Sequence, residues 1–189
     1  MEQINLPDPK LAGGAVSQVV VHQQSRCWDL TLHFPHVLPF PIYKELHDRL
    51  QMSFKQLAAA DVKLRVKTDD QEADSKLVGD YWRYLANEEV GMSGMGFEIA
   101  EKTMPTEHEG RIELFLENEQ VKEFVSRQFL GKIEQAYVQA GFPPFRIHPE
   151  VDEKAAEAQL ATMKEAQEAR DAALVKKAMA QLKAAVDAL

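Results

Sequence analysis

Cysteine is nearly absent from this sequence, and it has neither a long apolar run nor an excess of basic residues. The 189-residue chain has one cysteine, Cys27, which excludes an intramolecular disulfide framework and a cysteine-based zinc site. No apolar run approaches the roughly 20 residues of a membrane span. Residues 1–10 are polar and contain prolines, which is unlike a signal peptide. A net charge of −8 argues against a general nucleic-acid binder, because phosphate contacts need clustered Lys and Arg.

Apolar residues nevertheless make up 45% of the chain, which is enough for one compact core or two small ones and too much for a disordered protein. We therefore expect a soluble, acidic protein of the cytoplasm. Composition predicts nothing further about function.

Hydrophobic periodicity in the first third of the chain predicts a strand hairpin, a helix and a third strand. Residues 19–21 are β-branched, 23–26 form a polar turn, and apolar and polar residues alternate over 28–34. Apolar residues at three- and four-residue steps over 42–57 predict an amphipathic helix. Alternation over 62–67 predicts another strand.

The next segments predict a helix, a connection and a short helix. Residues 77–89 have a helical apolar face, 90–96 contain three glycines and two methionines, and 97–102 are consistent with one or two helical turns.

The second half then repeats the strand–helix–strand outline. Alternation predicts a strand over 111–116, and Asn118 is a candidate cap for one broad apolar helix from about 119 to 140. A final strand is expected at 145–147, ending before Pro149.

From residue 150 onward Ala, Glu, Lys and Gln dominate, which predicts a long helix. Its apolar stripe is confined to about two heptads, too few to argue for a coiled coil, at Val175, Met179, Leu182, Val186 and Leu189. The chain reaches Leu189 without a helix-stop signal, so we expect the sequence to belong to a longer protein.

The predicted fold class is α+β, with two small sheet-plus-helix subdomains followed by a long C-terminal helix. We predict the first subdomain at 1–70, the second at 76–150 and a helical linker at 151–189.

No pattern typical of a catalytic nucleophile, a phosphate-binding loop or a zinc protease occurs, so we predict no catalytic residue, cofactor or metal. A metal site built from His33, His36 and His47 would need a carboxylate within reach, and ordinary histidines are the favoured interpretation. Cys27 has no readable activating base.

The remaining candidates are surfaces. Lys63, Arg65 and Lys67 share one face of the predicted third strand, either as a solvated edge that blocks strand pairing or as a contact surface for an acidic partner. Tyr81 and Trp82 are adjacent on a predicted helix and point in different directions, so we expect one to be partly exposed. They are candidate interface anchors, and the alternative is packing between the two subdomains.

The segment Gly91–Gly94 matches the GxxG loop with which KH domains clamp nucleotides. Nearby carboxylates would repel phosphates, namely those of Glu88, Glu89, Glu98 and Glu101. A flexible connector and a nucleotide clamp are the two interpretations.

Several strings in a characteristic order resemble one family. They are residues 2–7, the hairpin residues Val19–His22 with Ser25 and Trp28, Leu38-Pro39-Phe40 with Tyr43, Asp80-Tyr81-Trp82, and Gly141-Phe142-Pro143-Pro144. Over about residues 1–150 the chain is similar to the N-terminal region, before the OB domain, of the PolC-type DNA polymerase III alpha subunit of Gram-positive-type bacteria. Its start is a few residues shorter than is usual in that family.

The resemblance implies a non-catalytic module that docks a replicative polymerase to the tau subunit of the clamp loader. It also implies that the first half resembles the polymerase-binding domain of tau, and that the second half has a possible KH-like order. The family's OB, histidinol-phosphatase-like, exonuclease and polymerase domains lie downstream, so none of their metal-binding carboxylates maps onto this sequence. The parent would be a DNA-directed DNA polymerase, a nucleotidyltransferase with 3′–5′ exonuclease activity.

Two other hypotheses remain from the residues. One is a KH-like module for single-stranded nucleic acid, motivated by the GxxG string and opposed by the net charge. The other is an independent small enzyme, for which the sequence offers no set of reactive residues.

Overall fold

The computed structural model describes residues 13–152 except 59, 92 and 93, together with eight isolated positions between 154 and 170. It is an α+β structure with two three-stranded sheets and helices packed on them, as the sequence predicts. The eight described positions after residue 152 are helical. The predicted apolar stripe at 175–189 lies outside the described residues.

The first sheet has the strand order β1-β2-β3, with β1 at Ala15–His22, β2 at Cys27–Phe34 and β3 at Asp61–Thr68. β1 and β2 form an antiparallel hairpin, whereas β2 and β3 are parallel. All three predicted strands are confirmed, although β1 begins four residues earlier than the β-branched run.

Helix α1, at Phe40–Ala58, makes the crossover from β2 to β3 and confirms the predicted amphipathic helix. Its stripe of Tyr43, Leu46 and Leu50 is buried. The facing side chains on β2 and β3 are also buried, namely Leu30, Leu32, Val62, Leu64 and Val66. The apolar periodicity of each element therefore matches the face that it buries.

An acidic linker, residues 69–74, joins β3 to helix α2 at Ser75–Tyr84. The helix is capped by Asp74, whose side chain accepts hydrogen bonds from two backbone N–H groups of the first turn. It continues into a π-helical segment at Leu85–Glu89, and α3 follows at Met95–Lys102. The sequence predicted both helical stretches but not the widening of the last turn.

The second sheet has the order β4-β5-β6, with β4 at Thr106–His108, β5 at Arg111–Leu116 and β6 at Ile147–Val151. Here too the hairpin is antiparallel and the last pair is parallel. The prediction that the final strand ends before Pro149 is wrong. β6 runs through Pro149, which an edge strand tolerates because one side of its backbone needs no ladder partner.

The crossover of the second sheet consists of two helices, α4 at Glu119–Gln128 and α5 at Leu130–Gln139, so the prediction of one continuous helix is wrong. The break lies at Phe129, whose backbone leaves the helical region and whose ring packs 5.0 Å from that of Phe124. The predicted cap is confirmed, since the Asn118 side chain accepts a hydrogen bond from the Val121 N–H.

One continuous apolar core joins the two sheets. The turn after α5 lies against the end of β3, where the Thr68 hydroxyl donates a 2.6 Å hydrogen bond to the Gly141 carbonyl. Gly141 has φ +102°, and a Cβ there would lie 2.8 Å from Val66 Cγ1. The Gly141 and Phe142 N–H groups close the helix end on Val138 and Tyr137, the pattern of a Schellman motif.

Candidate interaction surface

Strand β3 presents a row of three basic side chains, Lys63, Arg65 and Lys67, which we call the basic row. Alternation places the row on the face away from α1, and all three residues are exposed while Val62, Leu64 and Val66 between them are buried. In register, the row lies beside Asp29, Thr31 and His33 of β2. Within the described residues none of the three forms an ion pair. The row is thus a concentration of unneutralised positive charge on an acidic chain.

A groove of about 610 Å³ runs along the outer edge of β3 and is bounded by α1, the π-helical segment and α5. Lys63 and Arg65 line it from the strand. Gln51 of α1 donates a 2.6 Å hydrogen bond to the Val62 carbonyl, so one acceptor of this edge is already satisfied. Beyond Arg65 the edge is closed by the Gly141 turn.

The wall opposite the strand carries charges of both signs. Lys44 lies 2.6 Å from Asp48 and faces the Tyr84 ring at 6.0 Å. The hydrogen bond that the Lys44 ammonium donates to the Asp48 carboxylate raises the pKa of Lys44, so this lysine stays charged. His47 and the Tyr84 hydroxyl are 2.9 Å apart. The groove is therefore polar. Lys63 and Arg65 of β3 and Glu88 of the π-helical segment line it without a described ion pair, so its unpaired charge is of both signs, with positive charge in excess.

Tyr81 and Trp82 lie inside the protein, and the expectation that one of them is partly exposed is wrong. Tyr81 is fully buried and Trp82 is 1% exposed. The Tyr81 hydroxyl donates to the Leu38 carbonyl at 2.7 Å, and its ring packs on Phe40 and Phe142. The Trp82 indole N–H donates to the Ala100 carbonyl. Other elements cover α2 on both sides. Tyr81 and Trp82 therefore pack inside the protein, in line with the alternative interpretation of these residues and not with an exposed anchor.

The histidines that the sequence offered for a metal are each engaged with different residues. His33 pairs with Asp69 at 3.0 Å and His36 with Asp70 at 2.8 Å, both in the linker after β3, while His47 lies in the groove. Among the described residues no cluster of three or more metal-ligating side chains occurs.

Asp70 is the best-anchored member of these pairs. Partial burial raises the pKa of its carboxyl, but hydrogen bonds from His36 and the Val37 N–H outweigh it and leave the pKa below the usual value. These contacts hold the linker against the end of the first sheet.

The described ends of the GxxG string, Gly91 and Gly94, both have positive φ and join the π-helical segment to α3. Glu88 and Glu98 flank them and are exposed. The basic row lies on β3 and not beside the GxxG string. It therefore does not supply the positive charge that a nucleotide clamp at Gly91–Gly94 would need.

The sequence identified the basic row but not the groove. Lys44, Gln51, Tyr84 and Gln139 come from three helical segments distant in sequence, and no local pattern marks them as neighbours of β3.

Within the described part of the chain, no helix is both long and apolar enough to cross a bilayer.

Two family models match the chain. The model described as DNA polymerase III polC-type N-terminus I matches residues 1–64, and the one described as N-terminus II matches residues 80–186. Together they cover the second sheet, both crossovers and the first sheet except the second half of β3.

Curated relatives give the same result. The chain is 37% identical over 93% of its length to a PolC-type DNA polymerase III of Lacticaseibacillus paracasei and 35% identical over 83% to that of Latilactobacillus sakei. It is 24% identical over 80% to the PolC-type polymerase of Bacillus subtilis. The chain spans only about 12% of the length of these relatives. No solved structure matches it significantly.

Proposed function

The chain belongs to the PolC-type DNA polymerase III family, as part of its N-terminal region, and we propose that it docks the polymerase to the tau subunit of the clamp loader without catalysing a reaction itself. The matching family models describe the N-terminus of PolC-type polymerases. The proposal starts from the resemblance to that region, which implies docking to tau.

The activity of the whole protein is part of the same proposal. Downstream domains of the polymerase would carry DNA-directed DNA synthesis and 3′–5′ exonuclease activity, and they are this module's covalently attached partners. A polymerase of bacterial DNA works in the cytoplasm, which is where we place it. The division at 1–70 and 76–150 is proposed as two halves of one docking module.

The observation that carries the proposal is the basic row beside the groove. Lys63, Arg65 and Lys67 are exposed and unpaired among the described residues, although the chain has a net charge of −8. Fixed charges of one sign on a rigid strand favour a partner that presents the opposite sign, and they speed its association. An acidic segment of tau, with part of its side chains in the groove, is the partner that this surface fits.

Such a contact would act through effective concentration. A polymerase tethered to the clamp loader stays near the primer end after it releases DNA, so that rebinding is an intramolecular step. The tether needs no reactive group, and moderate affinity is sufficient.

The experiment is calorimetric titration of the 189-residue chain with tau, comparing the natural chain with Lys63→Glu/Arg65→Glu/Lys67→Glu. We expect binding in the micromolar range or tighter, weakened at least tenfold in the variant. Added salt should weaken the natural chain's binding, because surface charges are screened. Circular dichroism verifies that the variant is folded, since the three side chains are exposed.

Lys132→Glu is the matched control, because Lys132 is exposed on α5, away from the basic row. The control reverses one charge where the variant reverses three, so a control that loses about a third of the variant's loss in binding free energy would mean that net charge and not this row is responsible. A folded chain that gives no binding to tau at tens of micromolar would overturn the docking role. Binding of a single-stranded oligonucleotide that the triple variant abolishes would assign the row to nucleic acid instead.

A further inference from the structure

Strand β1 is an edge strand, and no other described strand pairs with its outer side. All eight of its residues are exposed, and none is Lys, Arg, Asp, Glu or Pro. A register shift between Val16 and Gln18 bulges its beginning, while Gln18–His22 pairs regularly with β2. A long edge of this composition is a template for another strand, because its outer N–H and C=O groups are directed to solvent and nothing repels a partner.

The other three edges of the two sheets are each protected. β3 carries the basic row and is partly closed by the Gly141 turn. β4 has only three residues, and β6 contains Pro149 at its middle. Short length, charge and proline are the usual means of preventing edge-to-edge pairing. β1 is the exception among the described strands.

β1 also has an uncovered apolar row, Val16, Val19 and Val21, which we call the valine row. These residues pair with Leu32, Leu30 and Trp28 and so share the face that α1 covers. Leu30 and Leu32 are buried, but the valine row is 63%, 47% and 46% exposed. A helix about 10 Å wide covers roughly two strands spaced about 4.8 Å apart, so α1 leaves the third strand open.

We propose that β1 receives an extended aliphatic segment of a second protein as a fourth strand of the first sheet. A helix laid over the valine row would bury its methyl groups but leave the backbone edge unpaired. An added strand uses both features, because its main chain pairs with the edge while alternate side chains extend the apolar row. The segment has Val, Ile or Leu at alternate positions and uncharged polar residues between them.

Two copies of the chain that paired through β1 would bury too little surface to form a stable dimer. Eight residues span about 26 Å, and a strip about 10 Å wide then buries roughly 260 Å² on each partner. A stable protein interface needs roughly 800 Å² on each side. Two copies paired through β1 would form main-chain hydrogen bonds as well, but two folded bodies would meet only along this strip. A flexible segment can instead follow the twist of the sheet and cover the valine row beside the edge. The site is on the opposite edge of the sheet from the basic row, so it is independent of the proposed docking of tau.

The test uses the ¹⁵N-labelled 189-residue chain and a synthetic peptide, acetyl-Lys-Thr-Val-Thr-Val-Thr-Val-Thr-Lys-amide. We expect chemical-shift changes concentrated in β1 and β2, and cross-strand contacts between the peptide and the β1 amides. The same peptide N-methylated on all central amides should not bind, because it cannot donate main-chain hydrogen bonds. Val19→Lys should weaken binding at least tenfold, since it puts a charge in the valine row.

Val138→Lys is the matched control, because Val138 lies on α5 and is 43% exposed, close to the exposure of Val19. It should leave peptide binding unchanged. Equal binding of the N-methylated peptide would overturn strand addition in favour of a simple apolar patch, and absence of shifts in β1 at millimolar peptide would overturn the site.

Two other occupants are distinguished in the same experiment. Sedimentation that shows a dimer dissociated by Val19→Lys would overturn the proposal in favour of a second copy. Peptide binding only to a variant that lacks residues 1–12 would overturn it in favour of the chain's own N-terminal segment.

Discussion

The two sheets share one topology and differ in what surrounds them. Each consists of an antiparallel hairpin, a helical crossover and a third strand parallel to the second. In the first sheet the crossover is one helix and the strands are eight residues long, whereas in the second it is two helices and the strands have three to six residues. The first sheet leaves a complete eight-residue strand, β1, exposed, whereas every strand of the second sheet has at least one residue that is not exposed.

The chemistry of the third strands differs in the same way. The face of β3 away from the helix carries the basic row, while the corresponding positions of β6 are His148 and Glu150. The neighbouring strand β5 contributes Glu113, and Lys122 of α4 reaches Glu150 at 3.6 Å. Equal topology therefore does not mean equal function, because the outward positions of a strand are not constrained by its core.

The largest expected effect comes from the joint between the two sheets. Gly141→Ala places a Cβ against Val66 at a backbone angle that side chains rarely adopt, and we expect a loss of about 3 kcal/mol in the free energy of unfolding. Urea unfolding followed by tryptophan fluorescence and by circular dichroism measures it.

Gly131→Ala is the control, because Gly131 lies within α5 with nothing close to its Cβ position. It should be neutral or stabilise by up to about 1 kcal/mol. If Gly141→Ala were equally harmless, the two sheets would not be closely joined at this turn.

Alkaline pH tests the two buried tyrosines. Burial raises the pKa of both Tyr81 and Tyr137 above the usual value, so above about pH 10 the unfolded chain releases protons that the folded chain retains. Stability is then lost as pH rises, by about 1.4 kcal/mol per pH unit for each tyrosine.

Tyr81→Phe and Tyr137→Phe, with unfolding measured from pH 8 to 11, separate the two contributions. Tyr81 donates to Leu38 beside the first sheet, whereas Tyr137 donates to Val78 within the second half. Each variant should show a smaller stability loss with rising pH than the natural chain. An unchanged pH dependence in both variants would contradict the burial of the phenols.

Asp70, in the linker after the first sheet, should contribute about 1 kcal/mol to the free energy of unfolding. Its pKa is lowered on folding, so its contribution is present above about pH 4 and disappears as pH falls. Asp70→Asn should be less stable than the natural chain at pH 7, and the difference should shrink by pH 3. Glu72→Gln in the same linker, which forms no described ion pair, is the control and should change little.

The smallest expected effect is the change in protein stability when the basic row is replaced. Lys63→Glu/Arg65→Glu/Lys67→Glu should change the free energy of unfolding by no more than about 0.5 kcal/mol, because the side chains are exposed and unpaired among the described residues. A loss of several kcal/mol on thermal or urea unfolding would mean that the row stabilises the sheet and is not reserved for a partner.

Several elements of the fold could be predicted because their signals are local. The alternation of apolar and polar residues indicates the buried face of β2, β3 and β5, and the three- and four-residue spacing of apolar residues does so for α1. The Asn118 cap could be predicted because it depends only on the first turn of its own helix. The three-residue β4 is too short to show a period. The break at Phe129 was missed because apolar residues continue through it while its ring packs on Phe124.

The amino-acid sequence by itself determined the order of the longer strands and helices, the membership in the polymerase family and the outward side of β3, since each depends on neighbours along the chain. Tertiary structure alone decided that Tyr81 and Trp82 are internal, that a groove opens beside Lys63 and Arg65, and that α1 fails to cover the valine row. The physical reason is that exposure depends on how many elements pack around a side chain, which hydrophobic periodicity does not record.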